Sequence, residues 1–260
     1  AGQGTAQFIE NGKYKYLPYS RVFTEAETIA VEGWGNFDAY ANRDSLSYRA
    51  VYGLEKIPTM LRGTLRMPGF CKAWNAFVQL GLTDDTWKIH EADQLSYSQL
   101  IESFLPDNNG SVIERLAKFL GEKDGSEVMK KLEWLGIFSD EKIKLKEATP
   151  AQILQDLLER KWVLKPGDKD MIVMQHRFDF SLKGKKHRLI SSLVVKGEDE
   201  IHTAMAKTVG LPAAIAVKRI LSGELKRSGI CVPVTHDIYE PVLKELESFG
   251  IKFSEKEEEL

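Results

Sequence analysis

Hydrophobic and polar positions along the chain change period several times, and each change marks an element. Residues 15–17 and 28–34 are β-rich runs, the second punctuated by Gly33 and Gly35, and predict strands or sheet edges. Residues 42–45 read as a turn, with Ser45 the N-cap of a short helix over 46–52 that Gly53 closes. From Met60 to Met67, Leu61, Leu65 and Met67 fall on one side and Arg62, Thr64 and Arg66 on the other. That pattern predicts a strand with a cationic face, in which Gly63 leaves a gap beneath the backbone. Pro68 and Gly69 break it, and Phe70, Trp74, Phe77 and Val78 then recur at helical spacing up to Gly81.

Residues 96–162 are mostly helical in pattern, with helices over 97–105, 112–120, 128–135 and 150–162; Thr149 caps the last and Pro150 takes its first position. After a break at 165–168, Ile172, Met174, His176, Phe178, Phe180 and Leu182 alternate with the residues between them. A turn at 183–186 sends the chain back along 188–195, the clearest hairpin in the sequence. The last third predicts a helix over 201–209, a break at Gly210-Leu211-Pro212 and an Ala-rich helix over 213–221 stopped by Gly223. A short strand over 230–232, an amphipathic helix between Thr235 and Gly250, and an acidic, frayed tail complete it. There is no internal repeat.

With 260 residues, 43% hydrophobic and 28% charged, the chain can bury a large core in one big domain or two modest ones. The 36 Lys and Arg nearly balance 38 Asp and Glu, for a net charge of -2, so neither nucleic acid nor an anionic membrane is expected as a partner. Cys71 and Cys231 make neither a metal knuckle nor a disulfide framework, and fit a reducing, cytoplasmic setting. No apolar run reaches the roughly 20 residues that span a bilayer, and the opening residues lack a signal-peptide pattern.

The candidate chemistry centres on arginines. Arg43 sits just ahead of an expected helix start, and Arg62 and Arg66 share the cationic strand face. Guanidinium forks and helix-start amides both suit carboxylates, so the group could clamp a small polycarboxylate. A strand simply showing its polar face to water has the same pattern, and spacing alone does not choose between the two. His176 could be an acid, a base or a hydrogen-bond donor, or a satisfied core histidine; no Ser, Cys or carboxylate stands near it in sequence to complete a catalytic set. His90, His187, His202 and His236 are scattered, and no metal ligand is expected. Gly2-Gln3-Gly4 and Gly33-Trp34-Gly35 lack the third glycine and the strand-before, helix-after context of a dinucleotide fingerprint, so both read as turns. No cofactor-binding residue is assigned in this chain.

Three separated stretches carry a family likeness: Asn42-Arg43-Asp44-Ser45, Leu61-Arg62-Gly63-Thr64-Leu65-Arg66 with Pro68-Gly69-Phe70, and Met205 to Pro212. In this order they resemble the saccharopine dehydrogenases that release glutamate, from about residue 32 to residue 251. The expected fold class is α+β, a mixed, mostly antiparallel sheet flanked by helices. Residues 1–95 would begin a substrate-binding domain and 96–162 form a helical insert. Residues 163–200 would return as a hairpin to the domain's sheet, and the C-terminal helices of 201–260 would pack on a nucleotide-binding domain.

The resemblance implies NADP- or NAD-linked interconversion of saccharopine with glutamate and aminoadipate semialdehyde, in lysine metabolism, through an imine that accepts a hydride in one direction and is formed by loss of hydride from the amine in the other. It places substrate contacts at Arg43, Thr64, Leu65 and Arg66, with Asn42, Arg62 and His176 as further candidates and the catalytic acid unassigned. Met67 stands where the family has an aromatic residue, a change in packing rather than in charge. Because the chain opens on Ala without a glycine-rich strand, it is expected to be a part of a longer enzyme, inactive alone and with no cofactor bound to it. A related carboxynorspermidine or lysine dehydrogenase, or a non-catalytic ligand-binding module, remains open as an alternative, as does a homodimer. Retention of both Arg43 and Arg66 favours a polycarboxylate.

Overall fold

The structure, a computed structural model, describes residues 4–106 and 109–260; Gly2 and Gln3 of the first glycine pair lie outside them. The chain divides into two compact units, Ala1–Ala50 with Leu54–Val163 and Val51–Gly53 with Leu164–Leu260.

The first unit opens with an antiparallel hairpin of β1 (Ala6–Glu10) and β2 (Lys13–Leu17), followed by one turn of helix, α1 (Tyr19–Val22). A second hairpin joins β3 (Glu27–Val31) to β4 (Gly35–Ala41). After the single turn α2 (Tyr48–Val51), β5 (Gly63–Arg66) pairs antiparallel with β4, giving a sheet in the order β3-β4-β5. Helix α3 (Phe70–Leu80) begins behind Gly69 and ends at Gly81, where a left-handed backbone lets the Gly81 amide reach the last carbonyls.

Four more helices follow: α4 (Tyr97–Ser103), α5 (Val112–Leu120), α6 (Glu127–Leu135) and α7 (Pro150–Trp162). Three of them start on reciprocal caps, Ser96 with Gln99, Ser111 with Glu114 and Thr149 with Gln152, each of which satisfies two backbone amides that the helix itself cannot. Leu116, Leu132 and Ile153 of these helices share one core with Tyr40 of β4 and Trp74 and Phe77 of α3. Helical insert and sheet are therefore one folding unit, held by common burial.

The second unit is built on the long hairpin of β6 (Met171–Leu182) and β7 (Lys185–Lys196). Lys183 and Gly184 both take positive φ at its tip, the backbone a tight two-residue turn needs to match strand twist. Helices α8 (Ala204–Leu221) and α9 (His236–Glu247) come next, and β8 (Ser254–Glu259) pairs with β7 to give the order β6-β7-β8. A separate core of Leu193, Val195, Ala204, Ile215, Leu246 and Ile251 closes this unit.

Several expectations change. The hairpin forms its own three-stranded sheet rather than returning to that of β3-β4-β5. Its third strand is the acidic tail, held by Lys185–Glu259 at 2.9 Å and His187–Glu257 at 2.8 Å as well as by backbone pairing. The break at residues 210–212 is absent: α8 runs unbroken through Pro212 because buried Ile215 and half-buried Leu211 anchor it on both sides of the proline. Residues 230–232 form no strand, and Ile230 stands fully in solvent with nothing to pair against. The strand expected over 60–67 is regular only at 63–66, with Met60 making an isolated bridge to Ile9. Ser45 does not cap α2. It is wholly buried and its Oγ accepts the Arg62 amide at 2.9 Å, while Asp44 Oδ1 takes the amides of Leu46 at 2.8 Å and Ser47 at 3.2 Å. The charged acceptor takes the turn amides and the neutral hydroxyl turns inward. Among the described residues no helix is long and apolar enough to cross a membrane.

Candidate functional site

Arg43 lies just beyond the end of β4, in a turn fixed by two backbone bonds and one to a side chain. Gln7 of β1 donates to the Arg43 carbonyl at 2.8 Å, the Arg43 amide donates to Asn42 Oδ1 at 2.8 Å, and the Asn42 amide donates to the Arg62 carbonyl at 2.8 Å. Gly4 packs on the side chain: a Cβ there would sit 3.2 Å from Arg43 Cδ, and the φ of +148° is itself one that side chains rarely adopt. Thr64 reaches the same place from the neighbouring strand, in register with Tyr40. Gly63 permits this register, since a Cβ on it would approach the Tyr40 carbonyl to 3.1 Å.

Between these elements is a cleft of about 180 Å³. Asn42, Arg43, Thr64 and Tyr40 supply its polar lining, and Ala6, Val22 and Phe23 its apolar wall, with Gly4, Tyr19 and Ala41 completing it. Pockets that enclose a whole drug-sized ligand run to roughly 300–1,000 Å³. This one fits a single arm of a larger molecule.

Arg66 projects from the same face of β5 as Thr64, two residues on, opposite Asp38 of β4. Its guanidinium carbon lies 5.4 Å from the Phe70 ring centre. Among the described residues neither Arg43 nor Arg66 carries an ion pair. Asp38, the carboxylate across the strand pair from Arg66, is committed elsewhere: Oδ2 accepts the amides of Gly69 at 3.0 Å and Cys71 at 3.1 Å, fixing the start of α3 to β4. Leu65 points to the opposite face and offers the site only its backbone.

Arg62 and His176 are placed differently. Arg62 donates to the Asp44 carbonyl at 3.1 Å and its guanidinium covers the Tyr48 ring at 3.7 Å, so its charge is already used within the fold and it does not line the cleft. His176 belongs to the second unit, beside Phe178 and Phe253 at centroid distances of 6.0 and 5.9 Å. Burial among these rings lowers its pKa and favours the neutral imidazole.

Two groups near these arginines have shifted titration. Asp44 is held below the ordinary carboxylate range first by the Ser47 side chain and then by backbone amides, so it stays ionised beside the Arg43 turn. Cys71 is pushed up to about 12, by burial first and by the nearby Asp38 carboxylate second, and is no thiolate nucleophile. Among the described residues no three His, Cys, Asp or Glu gather as a metal site.

A nicotinamide dinucleotide needs a strand, a glycine turn and a helix start to cradle its pyrophosphate. Gly33 and Gly35 close the β3–β4 hairpin instead, and Gly4 packs on Arg43, so these glycines do not fit that group. Reading the sequence alone missed Tyr40, Gly4 and Asp38. By sequence each is an ordinary aromatic, glycine or aspartate; the fold supplies the partners, Thr64 across the sheet for Tyr40, the Arg43 side chain for Gly4 and the Gly69 and Cys71 amides for Asp38.

Comparisons with known proteins give the chain a family and a fold. The Saccharopine dehydrogenase C-terminal domain family matches residues 1–251. The mitochondrial alpha-aminoadipic semialdehyde synthase of Mus musculus is 36% identical over 225 residues, covering 84% of this chain and 24% of the relative. The NADP(+), L-glutamate-forming saccharopine dehydrogenase of Schizosaccharomyces pombe is 28% identical over 264 residues, covering 98% of this chain and 58% of the relative. The solved apo saccharopine dehydrogenase (L-Glu forming) of Saccharomyces cerevisiae superposes with a TM-score of 0.86 at 28% identity, over 98% of this chain and 59% of that one. The chain thus spans a quarter to three-fifths of the length of the relatives it matches. By sequence and by fold, this chain belongs to the saccharopine dehydrogenase C-terminal domain family.

Proposed function

We propose that the chain is the substrate-holding part of an L-glutamate-forming saccharopine dehydrogenase. It would bind saccharopine, and the glutamate arm released from it, during nicotinamide-dependent oxidation at the carbon–nitrogen bond in lysine metabolism. The observation that carries this reading is the convergence of Arg43 and Thr64 on one cleft, with Arg66 on the same strand face and, among the described residues, neither arginine in an ion pair. Two cations kept free of ion pairs match a substrate with three carboxylates better than a substrate with one.

Arg43 and Arg66 bind carboxylates in their bidentate forks, Thr64 adds a hydroxyl and the Thr64-Leu65 backbone adds amide and carbonyl groups at the rim. NADP, the cofactor in the fungal relatives' names, is assigned to the part of the longer protein outside this chain. The cofactor supplies the hydride chemistry; these residues supply position. Helix α8 suits contact with that nucleotide-binding part, since Met205, Val209, Val217, Ile220 and Leu221 leave an exposed apolar row on it. Buried Cys71 and unpaired Cys231 suit a reducing compartment. We favour the cytoplasm, although the mammalian relatives are named as mitochondrial.

The test is equilibrium binding of saccharopine to the full-length polypeptide carrying this chain, with NADP present, for wild type, Arg43→Ala and Arg66→Ala. Each substitution is expected to weaken binding by about tenfold or more, the loss of a charge-assisted hydrogen bond. Unchanged affinity in both variants overturns the assignment.

A further inference from the structure

We infer that Tyr40 is a substrate-contacting residue whose phenolic hydroxyl donates to the same carboxylate arm that Arg43 holds. The inference rests on the saccharopine reading and adds a residue to it. Tyr40 sits in β4 with only 8% of its surface exposed, yet it lines the cleft beside Arg43, Asn42 and Thr64. Its ring is held by Phe23 at a centroid distance of 4.8 Å and an interplanar angle of 50°. Its backbone is paired with Thr64 across the sheet. Ring and backbone are therefore fixed, and among the described residues no protein group is bonded to the hydroxyl.

Tyr40 is buried, yet its hydroxyl is not among the buried side-chain atoms left without a partner, so the O–H opens on the cleft, where water or a ligand accepts its hydrogen bond. Here the shared cleft places that partner in the ligand. The position also explains specificity. Thr64 and Tyr40 are a directly opposed cross-strand pair, with Cβ atoms roughly 4.5–5.5 Å apart, so two neutral donors stand next to the Arg43 turn. A carboxylate offers about four lone-pair sites and can accept from all three. The apolar wall of Ala6, Val22 and Phe23 then takes the methylenes behind it. The ligand class is a carboxylate on a short aliphatic arm, and an amide or alcohol in its place leaves one of these donors without an acceptor.

Tyr40→Phe removes the hydroxyl and keeps the ring packing on Phe23. In the full-length polypeptide it is expected to raise the saccharopine KM about tenfold, with kcat within twofold and the thermal midpoint unchanged. Arg43→Ala, measured alongside, separates the outcomes. If Arg43→Ala weakens binding and Tyr40→Phe does not, Tyr40 is a packing residue and this inference is wrong while the saccharopine reading stands. If neither weakens binding, the reading itself fails. The three monoamides of saccharopine provide a readout independent of folding. For one of them the Tyr40→Phe penalty should fall below twofold, because the carboxylate it contacts is already gone. A penalty that persists with all three monoamides overturns the contact.

Discussion

Replacing Asp38 by alanine probes the joint on which the site depends. Its carboxylate accepts the Gly69 and Cys71 amides at 3.0 and 3.1 Å, so one side chain of β4 caps α3 and fixes the turn behind Arg66. Loss of a helix cap costs about 1 kcal/mol. The two amides are part-buried, and leaving such donors unsatisfied adds on the order of 1–3 kcal/mol. We expect about 2–3 kcal/mol of lost stability for Asp38→Ala and roughly half of that for Asp38→Asn, which keeps one acceptor oxygen.

The assay is urea unfolding followed by tryptophan fluorescence. All five tryptophans, Trp34, Trp74, Trp87, Trp134 and Trp162, lie in the first unit, so the signal reports that unit alone and avoids treating two units as one transition. Amide exchange at Gly69 and Cys71 should accelerate in parallel. A loss below about 0.5 kcal/mol with unchanged exchange at both amides would refute the capping role.

Other predictions follow from neighbouring features. Gly4→Ala forces a Cβ to 3.2 Å from Arg43 Cδ at a φ of +148°, so the arginine stem must move; saccharopine binding should weaken several-fold in calorimetry with little change in melting temperature. The two perturbed histidines of the second unit should titrate to opposite sides of the ordinary 6.5, which histidine-selective NMR can read directly. His176, lowered by burial, contributes stability that is lost as pH falls from 6.5 toward its folded value. His202, raised by its hydrogen bond to Asp199, contributes stability that is present below 6.5 and lost as pH rises through its folded value. Asp199→Asn should return the His202 midpoint toward 6.5.

What could be read from the sequence was what local chemistry decides. Helix α7 starts at Pro150 because Thr149, Pro150 and Gln152 make a complete start signal within four residues, and α5 is equally well framed by Ser111 and Gly121. The hairpin tip at Lys183-Gly184 was legible for the same reason. Distant partners decided the remainder. Residues 254–259 look like a solvated acidic tail until Lys185 and His187 of β7 come opposite Glu259 and Glu257. Pro212 reads as a helix stop, and the packing of Leu211 and Ile215 on either side carries α8 past it.

The site divides along the same line. Arg43 and Thr64 meet in one cleft, whereas Arg62, equal to Arg66 by alternation, turns to Asp44 and Tyr48. Tyr40 gained meaning from the β4–β5 register and Asp38 from the start of α3, neither of which spacing within β4 encodes.

The most direct test of the account is saccharopine affinity measured by calorimetry on the full-length polypeptide with NADP, comparing wild type with the double variant Arg43→Ala, Arg66→Ala. A loss of about a hundredfold is expected, the product of two charge-assisted contacts. An affinity within twofold of wild type would contradict it.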